Sequence, residues 1–369
     1  MKITILFLLM FVSLSAQNRY MDNHACKECH EGIYEEYQHS MHAKTYFNDE
    51  LHRKVANKAD PNRYECAVCH MPMADNLEAL VSGKARPDRH NKTHTDAISC
   101  YFCHTIAYVK KAHRYNVNTK ARQAENYKPT LFGRLVNPDE SDKHSSVSNP
   151  VYAKQVCTGC HSHKLNEHNV TIFKAMDQKQ DSLSCIKCHM PEVAGGAEKM
   201  DKRARGQHAS HRFLGIHDKA FRKTGIDINV TAFENRIEVT LYNKMAHPLI
   251  IQPARAKFLK IETMRNKKVI WQNYQTDPSE DKQGYFAYSF KKNGKTVIIP
   301  ATATEGSVNN LNAKEKRVLQ YNVPLLKKGD VITVSLYVQL AKSDCARVVE
   351  LEDKSLTEPS LIKNVTLKL

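Results

Sequence analysis

Five residues, Cys100-Tyr101-Phe102-Cys103-His104, recur as a pattern that constrains this chain more than any other feature. Cys-x-x-Cys-His also occurs at Cys26/Cys29/His30, Cys66/Cys69/His70, Cys157/Cys160/His161 and Cys185/Cys188/His189. Two thiols so spaced can form thioether bonds to both vinyl groups of one porphyrin, and the adjacent His supplies the proximal iron ligand. This is the attachment signature of c-type haem. Five copies predict five covalently attached haems c, and they occupy ten of the eleven cysteines, leaving Cys345. Structural zinc sites also use Cys-x-x-Cys pairs, but they combine them two by two, and five is odd. A redox dithiol needs one pair. Neither requires a His after every second Cys. With 19 His in 369 residues, five such coincidences have a chance on the order of 10⁻⁷ from composition alone.

The formal charge of +16 would by itself suggest nucleic acid or an anionic membrane as partner. Regional counts argue otherwise. Residues 17–224 carry 32 Lys/Arg against 24 Asp/Glu, and five haems add about ten propionate charges. Residues 225–369 carry 22 against 15, a solvated basic surface. No nucleic-acid partner is expected.

Met1 to Ala16 has the form of a secretory signal: Lys2, an apolar run from Ile3 to Val12, then Ser13, Ser15 and Ala16. No other stretch is long and apolar enough to span a bilayer. The expected location is the periplasm, as suits a group attached outside the cytoplasm. Ile33, Tyr37 and Met41 stand at helical spacing within Glu31–Lys44. Residues 114–150 are rich in Asn, Ser, Pro and Lys and are expected as a long ordered loop.

From about Ile226 the pattern changes to alternation: Ile226–Val230, Ile237–Leu241 and Val331–Val338, with shorter runs at Phe258–Ile261, Val269–Trp271, Val297–Ile299, Val318–Tyr321 and Val365–Leu367. Short alternating strands between turn residues predict an all-β antiparallel sandwich, immunoglobulin-like in outline. The expected organisation is a signal peptide over 1–16, a mostly α or irregular pentahaem cytochrome c domain over 17–224, and the β-sandwich over 225–369.

Fourteen His remain after the five proximal ones, enough to give each iron a second axial ligand. Met71 and Met190 follow their own proximal His and cannot reach the opposite haem face. The stretch from Cys26 to Cys160 resembles the cytochrome c-554 family of multihaem cytochromes. The matching segments are Ser40-Met41-His42-Ala43, Cys66-Ala67-Val68-Cys69-His70, Ile98-Ser99 before the third motif, and His113-Arg114 after it. The resemblance implies distal ligation by His42 and His113, and a haem at Cys66/Cys69/His70 without a distal protein ligand. The chain departs from that four-haem pattern by a fifth motif and a β-domain. His144 lies further upstream of the fourth motif than the family's ligand and is a further distal candidate. Ser210-His211-Arg212-Phe213-Leu214-Gly215 resembles an H-x-F-x-G stretch that closes related multihaem domains, which implies His211. His94, just before the third motif, is the fifth candidate. Asn243-Lys244-Met245-Ala246-His247-Pro248 with Arg255 resembles a stretch of appended β-domains, with Ala246 in place of Gly. It gives His247 two open roles, docking the sandwich onto a haem or packing at a strand end.

The expected function is electron transfer between other redox proteins, with no catalytic residue assigned and the oligomeric state open. The alternative is a reductase or oxidase of a small nitrogen or sulfur compound at one open haem. A third class treats the β-sandwich as a docking module with the haems as cargo.

Overall fold

The computed structural model describes residues 20–44, 46–110, 115–119, 128–176, 185–196 and 205–369. The signal-like segment and His113 lie outside them.

Helices in the N-terminal region are short; the longest, Glu50–Ala59, has ten residues. The helix expected over Glu31–Lys44 stops at Gln38 and resumes as a 3₁₀ turn over Met41–Lys44. The described residues within 114–150 include paired strands. Tyr115–Asn118 pairs antiparallel with Ile106–Lys110, and Thr130–Gly133 pairs in parallel with Ser145–Ser148. Side-chain cores here are small. One gathers Tyr46, Ala56, Tyr64, Ala67, Met71 and Leu80, another Phe102, Ile106, Val109 and Tyr152.

Strands dominate from Ile226. A three-stranded antiparallel sheet runs Lys316–Asn322, Arg236–Asn243, Ile226–Ala232 in space. A seven-stranded antiparallel sheet runs Lys295–Val297, Tyr285–Lys292, Ala256–Arg265, Val331–Gln339, Ser360–Lys368. Lys268–Gln272 is added beside Ala256–Arg265, and Glu305–Asn309 beside Tyr285–Lys292. Period-2 alternation does the work expected of it. Ile237, Val239 and Leu241 point inward from one sheet and meet Leu259, Ile261, Phe286, Val334 and Leu336 of the other in one cluster. Each such side chain contributes about 1.5–3 kcal/mol on burial. Two strands go beyond the expected set, Tyr285–Lys292 and Glu305–Asn309. The first carries a legible signal in Phe286, Tyr288 and Phe290, all buried.

The two regions are packed together. Leu51, Val55 and Ala59 of the Glu50–Ala59 helix meet Ile299, Cys345 and Val349. Glu50 accepts hydrogen bonds from the backbone N–H groups of Glu352 and Asp353 at 2.7 and 3.0 Å. Val170 belongs to the sandwich-side cluster, where a Cβ at Gly306 would lie 2.8 Å from its Cγ1. Among the described residues, no helix is long and apolar enough to cross a membrane.

Candidate haem-binding sites

Each motif is one helical turn. His30, His70 and His161 donate their backbone N–H to the carbonyls of Cys26, Cys66 and Cys157 at 2.8–2.9 Å. Cys100–His104 and Cys185–His189 are α-helical throughout. Helical geometry puts positions i, i+3 and i+4 on one face, so both thiols and the imidazole of each motif face one space. Caps fix where two of these turns begin. The Asp22 carboxylate accepts from Ala25 N–H at 2.8 Å, and the Ser99 hydroxyl accepts from Phe102 N–H at 3.1 Å. In the fourth motif the glycine is required: a Cβ at Gly159 would stand 2.8 Å from the backbone N of Asn116.

The motifs touch one another. Cys26 lies beside Cys100, Cys69 beside Cys160, and Cys157 beside Cys185. Asn23 ties the first motif to the third, accepting from Cys100 N–H at 3.0 Å while its Nδ2 donates to the Asp96 carbonyl at 3.2 Å. Cys103 lies within electrostatic reach of Cys157 and Cys160. The contacts thus link the first motif to the third, the third to the fourth, and the fourth to the second and fifth.

The motif cysteines differ in their surroundings. Cys29 and Cys188 are exposed, as is Cys66, whereas the other seven are partly buried. In the first and fifth motifs the neighbouring motif accounts for the difference. Cys26 and Cys185 open their turns against Cys100 and Cys157, which leaves Cys29 and Cys188, three residues on, at the outer side of those junctions. Cys29 keeps the turn closed, its N–H donating to the Cys26 carbonyl at 3.3 Å, and Cys188 lies within the Cys185–His189 helix. A thioether needs the sulfur beside the porphyrin edge rather than in a side-chain core, so exposure at Cys29, Cys66 and Cys188 is compatible with attachment. It gives the first and fifth sites an edge at the molecular surface.

Four of the five motif histidines face a second His across a gap. The ring centroids are 6.2 Å apart for His30–His144, 6.2 Å for His104–His211, 5.9 Å for His161–His42 and 6.3 Å for His189–His247. Two imidazoles sharing one metal at about 2 Å from each nitrogen have centroids about 6 Å apart. The spacing fits one iron between each pair.

Backbone carbonyls orient the rings. The Nδ1 of His104 bonds the Phe132 carbonyl at 2.8 Å, His189 that of Leu214 at 2.5 Å, His211 that of Ala209 at 2.9 Å and His247 that of Pro248 at 2.9 Å. A carbonyl can only accept, so each Nδ1 carries the proton and each Nε2 lone pair is left for a metal. Burial disfavours the charged form of four of the facing rings. It holds His42 and His211 down to about 3, and His161 and His247 to about 4. Residues fit for iron are therefore arranged as neutral donors.

Residues 25–105 match the family model for cytochrome c554 and c-prime. Over that stretch the chain is similar to multihaem c-type cytochromes. A strand-rich C-terminal region is appended to the part that carries the motifs. The penta-heme cytochrome c552 from Thermochromatium tepidum superposes with a TM-score of 0.75 over 95% of this chain and 99% of that one, at 23% identity, which shows a common fold. A putative beta-galactosidase from Bacteroides fragilis covers 42% of this chain and 17% of its own at 10% identity and a TM-score of 0.16, and carries no argument. No curated protein sequence matches the chain.

The second motif is built differently. His52 stacks face to face on His70 at 3.7 Å, with an interplanar angle of 16°, which leaves no gap for an iron between them. Its Nε2 is 2.9 Å from the Tyr64 hydroxyl. His52 braces the His70 ring.

Of the distal candidates named from the sequence, His42, His144 and His211 stand opposite motif histidines. His94 does not. Its Nδ1 accepts from Asp88 N–H at 3.0 Å, so its Nε2 carries the proton and donates to Asn76 Oδ1 at 2.8 Å. Both nitrogens serve the loop before the third motif. The sequence leaves His247 two roles, and the structure places it opposite His189. Asn243 explains the stretch around it. Its Nδ2 donates to the carbonyls of His247, Leu311 and Asn312 at 3.0, 3.2 and 2.8 Å, and its Oδ1 accepts from Met245 N–H at 3.0 Å.

One six-residue stretch serves three sites. In Ser210–Gly215, His211 faces His104, and the Phe213 ring meets His42 at 4.4 Å. The Leu214 carbonyl holds His189. Phe213 sits at φ 48°, an unfavourable backbone for an aromatic residue, and its ring is wedged between His42 and His211.

Cys345 is 2% exposed and packs with Ile299 and Val349. Burial pushes its thiol up to about 11, as suits an inert core residue.

Proposed function

We propose that this chain is an exported, periplasmic pentahaem cytochrome c that carries electrons between redox proteins. Covalently bound haem supplies one-electron chemistry, and the axial ligands set its potential. In this reading the pairs Cys26 and Cys29, Cys66 and Cys69, Cys100 and Cys103, Cys157 and Cys160, and Cys185 and Cys188 hold the five groups. His30, His70, His104, His161 and His189 are the proximal ligands. His144, His211, His42 and His247 complete four of the sites. The region over 17–224 is the haem domain, and that over 225–369 a β-sandwich.

The observation that carries the reading is the set of four facing His pairs at 5.9–6.3 Å. Two fixed imidazoles leave an iron no vacancy for substrate and change little when its charge changes. Neighbouring cysteines of different motifs bring the sites close together, as electron passage through the molecule needs. Exposure of Cys29 and Cys188 brings the first and fifth sites to the surface, where partners could meet them. The Thermochromatium tepidum protein, with five haems by description, supports the count. Periplasmic location follows from the signal-like first 16 residues and from haem attachment outside the cytoplasm.

The purified protein should exceed its polypeptide mass by five haems and retain them on acid–acetone extraction. Its ferric electron paramagnetic resonance spectrum should show four low-spin irons. Fewer than five retained haems, or two or more high-spin irons, would sink the reading.

A second reading, catalysis on a small nitrogen or sulfur compound, is favoured by the His52–His70 stacking. That geometry places His52 where it cannot be a sixth ligand at the second motif. Turnover of nitrite, hydroxylamine or a sulfur oxyanion at that site would decide for the enzyme.

A further inference from the structure

Beside the second and fifth motifs lie the buried Lys257 and the partly buried Arg255 and Arg222, cations that the ligand set does not use. The Arg255 Nε is fully covered and has no hydrogen-bond partner, as has the Arg222 Nε. The Arg222 Nη2 donates to Ser360 Oγ and the Leu361 carbonyl, each at 2.7 Å, neutral acceptors both. Lys257 is 8% exposed and its Nζ donates to the Leu249 carbonyl at 2.5 Å. Lys257 feels the fields of Arg255 and Arg222. His217 feels Arg255, Arg222, Lys44 and Asp49. Two carboxylates face the cluster, and each is already engaged. Asp49 accepts from His52 N–H at 3.0 Å, and Asp218, beside Arg222, accepts from Phe221 N–H at 2.7 Å.

The position of the cluster points to its missing partner. Lys257 acts on His247, which faces His189, and Asp49 acts on His70. Lys257 thus stands beside the fifth site, and Arg255 faces Asp49, which stands beside the second. Buried charges without partners are strongly unfavourable, and a guanidinium pairs best with a planar carboxylate through two parallel hydrogen bonds. Each haem brings two carboxylates whose positions are fixed by its covalent and axial bonds, so such an anion is always present.

We propose that Arg255, with Lys257 and His217 beside it, holds a propionate of one of the two haems whose axial histidines border the cluster. This rests on the haem-carrier reading. The pairing keeps the carboxylate ionised and sets the potential of that haem, because a fixed positive charge favours the reduced iron.

The test uses the full, haem-loaded protein. Haem content by intact mass is checked first, since its loss would speak against the haem assignment itself. Arg255→Gln, Arg255→Lys and Lys257→Met are then titrated spectroelectrochemically from pH 5.5 to 8.5. In Arg255→Gln, one midpoint of five should fall by about 59 mV, a tenfold shift in a one-electron equilibrium. The same midpoint should become pH-dependent, as the carboxyl released from the guanidinium takes up a proton on reduction. Arg255→Lys should keep most of the wild-type value, and Lys257→Met should move the same midpoint in the same direction. Five unchanged potentials in Arg255→Gln and Lys257→Met, with five haems retained, would overturn the proposal. Loss of binding of added nitrite or phosphate at unchanged potentials would also overturn it, assigning the pocket to a free anion.

Discussion

His94 and His247 show what a single side chain can and cannot announce. Both are histidines near a cysteine motif or a family-like stretch. What separates them is which nitrogen carries the proton, and that is set by backbone outside any motif. The Asp88 N–H makes His94 Nδ1 an acceptor, whereas the Pro248 carbonyl makes His247 Nδ1 a donor. The motif histidines were legible because covalent spacing fixes them beside their own thiols. That same spacing is silent on exposure, and so Cys29 and Cys188 read like the half-buried Cys26 and Cys185 until their neighbours are known. Which motif each distal candidate faces was hidden for a similar reason. His144, His211, His42 and His247 lie 114, 107, 119 and 58 positions along the chain from His30, His104, His161 and His189. His247→Ala should leave five haems attached but turn one iron high-spin and open to carbon monoxide. The electron paramagnetic resonance spectrum checks this, and an unchanged low-spin count would remove His247 from the ligand set.

At the scale of elements, the β-region was the more readable. Alternation in Ile237-Glu238-Val239-Thr240-Leu241 maps directly onto burial, since one face of a strand meets the core and the other meets water. The N-terminal elements resisted such reading because their order comes from motif contacts and haem sites. The turn at Met41–Lys44 and the stretch Ser210–Gly215 have no periodicity of their own, yet they place His42, His211 and Phe213. The loop bearing His247 is an intermediate case, tied to the sheet by one buried amide. Asn243→Ala would leave three carbonyls without that donor. It should cost about 1–3 kcal/mol, seen as a lower denaturation midpoint, and should broaden or split the resonance of the iron between His189 and His247. A stability loss with that resonance intact would mean that the Asn243 bonds hold the sheet and not the ligand.

The whole molecule combines two ways of making a core. In the C-terminal region one large cluster spans two sheets, while the N-terminal region has several small ones. Residues 225–369 expressed alone should therefore melt cooperatively, with strand-type circular dichroism and no Soret band. Val170 lies outside that fragment but inside the cluster. Removing a Val-sized apolar contact should lower stability by about 1–3 kcal/mol relative to the same region in the full chain, and a disordered fragment would show that the haem region is needed for folding.

The choice between carrier and catalyst also belongs to this scale, since it depends on comparing sites. Four rings face their partners at about the distance one iron needs, and one pair is collapsed to 3.7 Å. If His52 only braces His70, His52→Ala should leave the number of low-spin irons unchanged. His42→Ala, His144→Ala and His211→Ala should each lower that number by one. Burial holds His52 down to about 4, so its ring is neutral at working pH and equally able to brace or to ligate; the Tyr64 hydrogen bond and the stacking decide in favour of bracing. Tyr64→Phe frees the Nε2 and supplies the control. Were His52→Ala to raise the high-spin count, His52 would have to swing onto the iron in the haem-loaded protein, and all five sites would be closed to substrate. An unchanged count, together with one iron that takes up carbon monoxide in the wild type, leaves a single accessible site in a molecule otherwise built to pass electrons.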